Sequence, residues 1–413
     1  MDILVKHLDS GIGYVFKKIS SPVAYCALTI RAGTRDEPGQ YNGMAHLTEH
    51  MLFKGTTKRG ARRINNFLER LGGELNAYTT KEETVIHATV LKDDIGKAVE
   101  LLSDLAFHSL YPQKELVKEK EIVLDEIASY KDTPSEQIFD DFDEYLFGEH
   151  PLGMPILGKP KSVKRIEVQH IRDFTTSHYV TSNMTFSIVA DISESRGEAL
   201  VNKFFGTGSN GHHQPLESRR NNRVSLAGMP KQKELRIARK THQAHCVVGV
   251  PAFDMYNENR LPLALLTNIL GGPALNSRLN QVLREKHGLV YTVDASYTPY
   301  TDTGLFTIYF GTDKNNLDKC LDILDKELAS IREKEMTPAS LKSAKKQLMG
   351  QLAIATDNAE SQCLSMGKSL LFYGRIEPTG VVREKIEKID SQQLHKIAAE
   401  LLEREKMFTL IYS

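Results

Sequence analysis

His46, Glu49 and His50 stand together in the segment HLTEH. Imidazole and carboxylate are the side chains that ligate a borderline cation such as zinc. On a helix, positions four apart share one face, so His46 and His50 could present two ring nitrogens to one ion. Glu49 would lie beside them, placed to take a proton from an attacking water. Two histidines do not complete a site, because catalytic zinc takes three protein ligands and keeps an open position. The third must come from elsewhere in the chain. The stretch 114–131 carries Glu115, Glu119, Glu121 and Glu126. Glu119 and Glu126 are seven apart, two helical turns along one face. Glu126 follows the apolar run Ile122-Val123-Leu124, which would partly bury it. From spacing alone, these acids read first as a solvated stripe.

Positioning these residues requires helices. NGMAHLTEHMLF (42–53) has helical spacing, with Asn42 and Gly43 placed to cap it. KELVKEKEIVLDEIASYK (114–131) also has helical spacing and follows Tyr111-Pro112, a helix-start signal. ALTIRAG (27–33) and TVIHATVL (84–91) have the alternation and β-branched content of strands. The pattern predicts an α+β unit, a mainly antiparallel sheet with helices packed on one face.

The unit occurs twice. AYCALTIRAG, beginning at Ala24, is matched by AHCVVGVPAF, beginning at Ala244. HLTEHML from His46 lines up with LLTNIL from Leu265, and LDEIASYKDTPSEQ from Leu124 with MGQLAIATDNAESQ from Met349. Three matches in the same order at nearly constant offset indicate duplication. Between the halves, residues 206–232 are polar, rich in Gly, Ser and charge, and read as a linker. The expectation is a domain over 1–205 that carries the metal and a homologous domain over 233–413. In the second copy Leu265, Ile269 and Gln351 stand where His46, His50 and Glu126 stand in the first. All three ligand positions have become non-ligands, so the second domain would hold no metal.

The 413-residue length suits two domains of this size. A net charge of +0 argues against a nucleic-acid partner, which usually selects a basic excess. No apolar run reaches the length needed to span a bilayer, so no membrane partner is expected. The first residues, MDILVKHLDSGIGYVFKK, lack the apolar stretch of a secretory signal, and Asp2 suits a transit peptide poorly. If this is the native start, the expected location is cytoplasmic. Cys26, Cys246, Cys320 and Cys363 form no C-x-x-C pair and read as small core hydrophobes. Gly271-Gly272-Pro273 reads as a helix stop and lacks the lysine of a phosphate loop.

HLTEHMLFKGT (46–56), LGGELNAYTTKEETVIHATV (71–90), EKEIVLDEI (119–127) and LNSRLNQVLREKHGLVYTVDAS (275–296) together resemble the pitrilysin family of inverted-motif zinc peptidases. That family includes insulin-degrading enzyme and mitochondrial processing peptidase, and the resemblance runs nearly the full length. It implies that the last metal ligand is a glutamate well downstream of the second histidine, at the spacing that Glu126 keeps from His50. It implies that Glu119, seven earlier, supports the site, and that Glu49 is the general base. It also implies one Zn2+ per chain. Arg284 and Tyr291 match an arginine and a tyrosine that relatives use to hold substrate or stabilise the tetrahedral intermediate. Asn76 and Ala77 lie in a stretch that relatives use as an edge strand, to which an extended peptide adds by backbone pairing. The implied activity is an endopeptidase acting on short peptides or unfolded segments within a chamber. Larger relatives close four such units around the substrate, so two units imply a homodimer. The alternatives are a non-catalytic structural or partner subunit of the same family, and a zinc-stabilised binding module.

Overall fold

The structure is a computed structural model that describes residues 3–206 and 232–413. Apart from its two end residues, the 206–232 segment read as a linker lies outside these. Strands β1 (Ile3–His7), β2 (Gly13–Lys18), β3 (Val23–Ile30), β4 (Glu74–Thr79), β5 (Thr84–Leu91) and β6 (Met184–Ala190) form one sheet in the order β1-β2-β6-β3-β5-β4. Only β2 and β6 run parallel; every other neighbouring pair is antiparallel. Strands β7 (Glu234–Ile237), β8 (Gln243–Ala252), β9 (Val290–Pro299), β10 (Gly304–Asp313) and β11 (Phe408–Tyr412) form a second sheet, β7-β11-β8-β10-β9. Here only β7 and β11 are parallel.

The two sheets repeat one another step for step: β2-β6-β3-β5-β4 has the pairing of β7-β11-β8-β10-β9. The strand starts at Val23 and Gln243 are separated by the same length of chain as those at Thr84 and Gly304. The expected α+β class and duplication are therefore both present.

Strand alternation divides each sheet's apolar residues between two faces. In the first unit Leu28, Ile30, Ile86, Phe186 and Ile188 meet Leu101, Leu102 and Leu105 of the helix Ile95–His108 and Leu47, Met51 and Leu52 of the helix Met44–Leu52. Each such fully buried side chain stabilises the fold by about 1.5–3 kcal/mol. The opposite face carries Val15, Ala27, Val85 and Val189, and it too is covered. Its cover is the helix Ala359–Tyr373, from the other end of the chain, through Cys363, Met366 and Leu370. The equivalent helix of the first half, Pro134–Phe147, lays Ile138, Phe142 and Leu146 against Val247, Leu305, Phe408 and Leu410 of the second sheet.

The compact units therefore do not follow the contiguous 1–205 and 233–413 division expected from sequence. Residues 130–153 belong with the second sheet and 354–376 with the first. The physical reason is that both faces of each sheet are apolar, and each half supplies the helix that buries the far face of the other. The four cysteines are free and buried. The helix Arg260–Gly271 stops at the Gly271-Gly272 pair, as its sequence implies. Among the described residues, no helix is long and apolar enough to cross a membrane.

Candidate metal centre

The helix Met44–Leu52 has nine residues, too few to be stable alone. Packing and capping hold it. Met44, Leu47, Thr48, Met51 and Leu52 recur at three- and four-residue spacing and are buried, which leaves His46, Glu49 and His50 on the remaining face. Its N-cap is Gly43, at φ +92°. A Cβ there would lie 2.6 Å from the Leu157 carbonyl oxygen, so the position needs glycine for both its space and its left-handed backbone. The first N–H groups of the helix are met by a side chain from outside it. The Glu37 carboxylate accepts from Gly43 N at 2.9 Å and Ala45 N at 2.6 Å. The Asn42 amide donates to the same carboxylate and to the Pro155 carbonyl. Burial pushes the Glu37 carboxyl up to about 8, and the hydrogen bonds from Ala45, Gly43 and Asn42 oppose that rise.

The helix Gln113–Lys131 follows Tyr111-Pro112 directly and buries Leu116, Glu119, Val123 and Ile127 along one stripe. Glu119 is thus an acid on an apolar face, only 3% exposed. Glu121 is exposed, as a solvated acid should be, but Glu119 and Glu126 are not part of a solvated stripe. Glu126 reaches the histidine helix. One of its oxygens, Oε1, lies 3.7 Å from His50 Nε2, and the other, Oε2, lies 3.9 Å from His46 Nε2.

Among the described residues, His46, His50 and Glu126 are the one group of three or more candidate ligands. Their ligand atoms lie within 4.8 Å of one another. A tetrahedral zinc with bonds of about 2.0–2.2 Å sets its ligand atoms about 3.3–3.6 Å apart, so a modest inward movement would enclose one ion. The atoms are also free for it. Glu126 Oε2 is buried with no hydrogen-bond partner. The His46 and His50 rings meet edge to face, with centroids 4.6 Å apart. Burial and the neighbouring His50 push His46 down to about 4, so its imidazole is neutral near pH 7 and offers a lone pair. These residues fit zinc.

Around them sits a set of supporting contacts. His50 Nδ1 lies 3.2 Å from Glu119 Oε2. With the proton on Nδ1, Nε2 is left as the donor atom facing Glu126, the arrangement typical of metal-bound histidines. His46 Nδ1 has no such partner. Glu119 Oε1 also takes an ion pair from Lys54 Nζ at 2.8 Å. Glu49 receives the Thr79 hydroxyl at 2.6 Å on Oε2. Burial raises the Glu49 carboxyl above the ordinary range, and the Thr79 hydrogen bond and His50 oppose that rise while Glu126 adds to it. A carboxylate held on one oxygen and raised in pKa is suited to accepting a proton on the other.

The remaining expected residues lie elsewhere. Asn76 and Ala77 are on β4, which is an edge strand of the first sheet. Alternation sends them to opposite faces. Asn76 is exposed and pairs across from His87, while Ala77 packs on the core that includes the histidine helix. Thr79, two further on, shares the Ala77 face and meets Glu49. Arg284 and Tyr291 belong to the second unit. Arg284 is exposed on the π-helical turn Asn280–Lys286. Tyr291 is on the edge strand β9, with its hydroxyl donating to Asp313 at 3.1 Å.

Known proteins resemble this chain along nearly its whole length. The pattern described as insulinase (peptidase family M16) matches residues 15–160, and the peptidase M16 inactive domain pattern matches 165–348. A Bacillus subtilis protein named uncharacterized zinc protease YmxG is 31% identical over 385 residues, 92% of this chain and 91% of its own length. The chain belongs to peptidase family M16. A second relative, the Streptomyces coelicolor protein named uncharacterized zinc protease SCO5738, is 32% identical across 92% of this chain and 82% of its own. Two solved structures share the fold at TM-scores of 0.89 and 0.88. One is a peptidase M16 inactive domain from Pseudomonas fluorescens, covering 100% of this chain and 98% of its own at 21% identity. The other is a Helicobacter pylori protease, covering 100% and 99% at 18% identity. In the second half, Leu265 and Ile269 on the helix Arg260–Gly271, and Gln351 on the helix Pro338–Ala355, stand where the candidate ligands His46, His50 and Glu126 stand in the first.

Glu37 and Lys54 join the site without having been singled out by the sequence, and Thr79, expected only as part of the strand with Asn76 and Ala77, joins it through Glu49. Lys54 follows His50 by one helical turn, a spacing visible in the sequence; its partner Glu119 is far along the chain and the pairing is not.

Proposed function

We propose that this M16 chain is a zinc-dependent endopeptidase with one Zn2+ per chain, held by His46, His50 and Glu126. The observation that carries this reading is the convergence of those three side chains, with Glu126 Oε2 buried, without a hydrogen-bond partner and 3.9 Å from His46 Nε2. A subunit kept for structure alone has no need of a ligand set complete in number, or of Glu49 held beside it. Zinc, when bound there, supplies Lewis acidity that activates water and polarises the scissile carbonyl. Glu49 takes the proton of the attacking water and returns it to the leaving amine. Thr79 holds Glu49 by Oε2, so Oε1 is the oxygen left for the proton. Glu119 keeps His50 in the tautomer with Nε2 as donor. The β4 edge, with Asn76 and Ala77, takes an extended peptide as an added strand. Arg284 and Tyr291 supply donors to the developing oxyanion.

An edge-strand site selects for chain conformation over sequence. The protein should cut a mixture of short unstructured peptides and leave a stable folded protein intact, as read by mass spectrometry of the products. Rapid internal cleavage of the folded protein would exclude β4 as the site of binding.

The working form is proposed to be a homodimer located in the cytoplasm, with two such sites related by symmetry. Mixing inactive Glu49→Gln chains with inactive Arg284→Ala chains tests how the roles are shared. If Arg284 serves the partner's site, some mixed dimers hold one intact site and activity returns in part; if it serves its own chain, none returns. Full activity from a monomer, measured by sedimentation at the assay concentration, would rule the dimer out.

A further inference from the structure

We propose that Lys54 is a positioning residue for the metal centre, acting through Glu119 to hold His50 in its ligating orientation. This rests on the zinc reading of the site. The Glu119 side chain is 4% exposed and sits in line with Leu116, Val123 and Ile127. A carboxylate in such a place is costly unless each oxygen is met. Two groups meet it. Oε2 faces His50 Nδ1 at 3.2 Å, and Oε1 faces Lys54 Nζ at 2.8 Å. The carboxylate is thus held at two points, one on the ligand and one on Lys54. Without the ammonium, one oxygen of a buried carboxylate has no donor, and the group is free to turn away from His50.

Lys54 is itself well anchored. Its N–H donates to Met51 O at 3.2 Å in the turn that ends the histidine helix. Two residues on, the Thr56 hydroxyl donates to the buried Asp104 carboxylate at 2.8 Å, and Arg59 binds that same carboxylate at 2.6 Å. The Lys54 side chain is 24% exposed, so its ion pair with Glu119 is sheltered from screening. The chain Lys54–Glu119–His50 thereby extends the outer shell of the site one residue beyond Glu119.

Two effects of Lys54 on zinc have opposite signs, which makes the inference decidable. As a bare positive charge, Lys54 repels a cation, and removing it would tighten zinc binding. As a positioning group, its removal loosens His50 and weakens zinc binding. Loss of an outer-shell partner typically costs about 10–100-fold in metal affinity. The experiment is a zinc titration against a chromophoric chelator at neutral pH, on the full chain, for wild type, Lys54→Met, Lys54→Arg, Glu119→Gln and the Lys54→Met/Glu119→Gln pair. The expected result is a weakening of about tenfold or more in Lys54→Met, most of the affinity kept in Lys54→Arg, and little further loss when Lys54→Met is added to Glu119→Gln. A Lys54→Met protein that binds zinc as tightly as wild type, or more tightly, overturns the inference alone. So does an equal loss in the Glu119→Gln background, which would mark a general effect on folding. A wild type that takes no zinc overturns the metal reading and the inference together.

Discussion

Glu126→Ala leaves the protein folded and without zinc. The side chain of Glu126 is 39% exposed, and its inner oxygen makes no hydrogen bond, so little packing is lost with it. What is lost is, among the described residues, the one carboxylate that completes a ligand group with both imidazoles. Two histidines on one helix cannot hold zinc against competition, because the ion needs at least three protein ligands. Losing an outer-shell partner alone costs about 10–100-fold in affinity, and losing a ligand should exceed that. Metal analysis after dialysis should find the variant empty, with a melting temperature equal to that of zinc-free wild type. Full zinc occupancy would mean that another carboxylate is the third ligand. The second half of the chain is a natural precedent for the exchange: its Gln351 stands at the position of Glu126, and no candidate ligand group is found there among the described residues.

Glu49→Gln separates binding from chemistry. Glu49 is not among the converging ligand atoms, and its Oε2 is occupied by the Thr79 hydroxyl. Glutamine has the same shape and keeps an oxygen to accept from Thr79, so both the fold and zinc should be retained. It cannot take a proton from water. A general base contributes about 10²–10⁴-fold, and peptide turnover should fall by that amount. Zinc content measured on the same sample makes the comparison clean. Turnover near that of wild type in a zinc-loaded Glu49→Gln protein would remove Glu49 from the role of base.

The site is legible in the sequence where its logic is local. His46, Glu49 and His50 lie within one short segment, so helical geometry alone brings them to one face. Glu126 is not legible from spacing, which allows a solvated stripe; the resemblance to a peptidase family singles it out, and the packing of the helix Gln113–Lys131 explains it. The burial of Glu119 follows from its place in line with Leu116 and Val123. That register is present in the sequence, but an acid on an apolar stripe is credible only once Lys54 and His50 are seen to meet it. Lys54, Thr79 and Glu37 act across turns, strands or long separations, and nothing in a linear pattern pairs them with their partners. Asn76 is different: simple two-residue alternation puts it on the face opposite Ala77 and Thr79, and that much can be read directly.

The fold shows the same division. The duplication, and with it strands β3, β5 and β8, is visible from the near-constant offset between the two copies. The exchange of the helices Pro134–Phe147 and Ala359–Tyr373 is not. Each carries a plain apolar stripe, Ile138-Phe142-Leu146 in one and Cys363-Met366-Leu370 in the other. A stripe states that a helix must be buried, but not against which sheet. That choice is made by the apolar second faces of the two sheets, a property of the assembled strands.

Titrating zinc back into chelated wild-type protein, while following cleavage of an unstructured peptide, tests the central claim most directly. Activity should vanish on chelation, rise in proportion to added zinc, and level off at one zinc per chain. Cleavage that survives chelation, or a zinc-loaded chain that cuts no unstructured peptide, would contradict a zinc peptidase built on His46, His50 and Glu126.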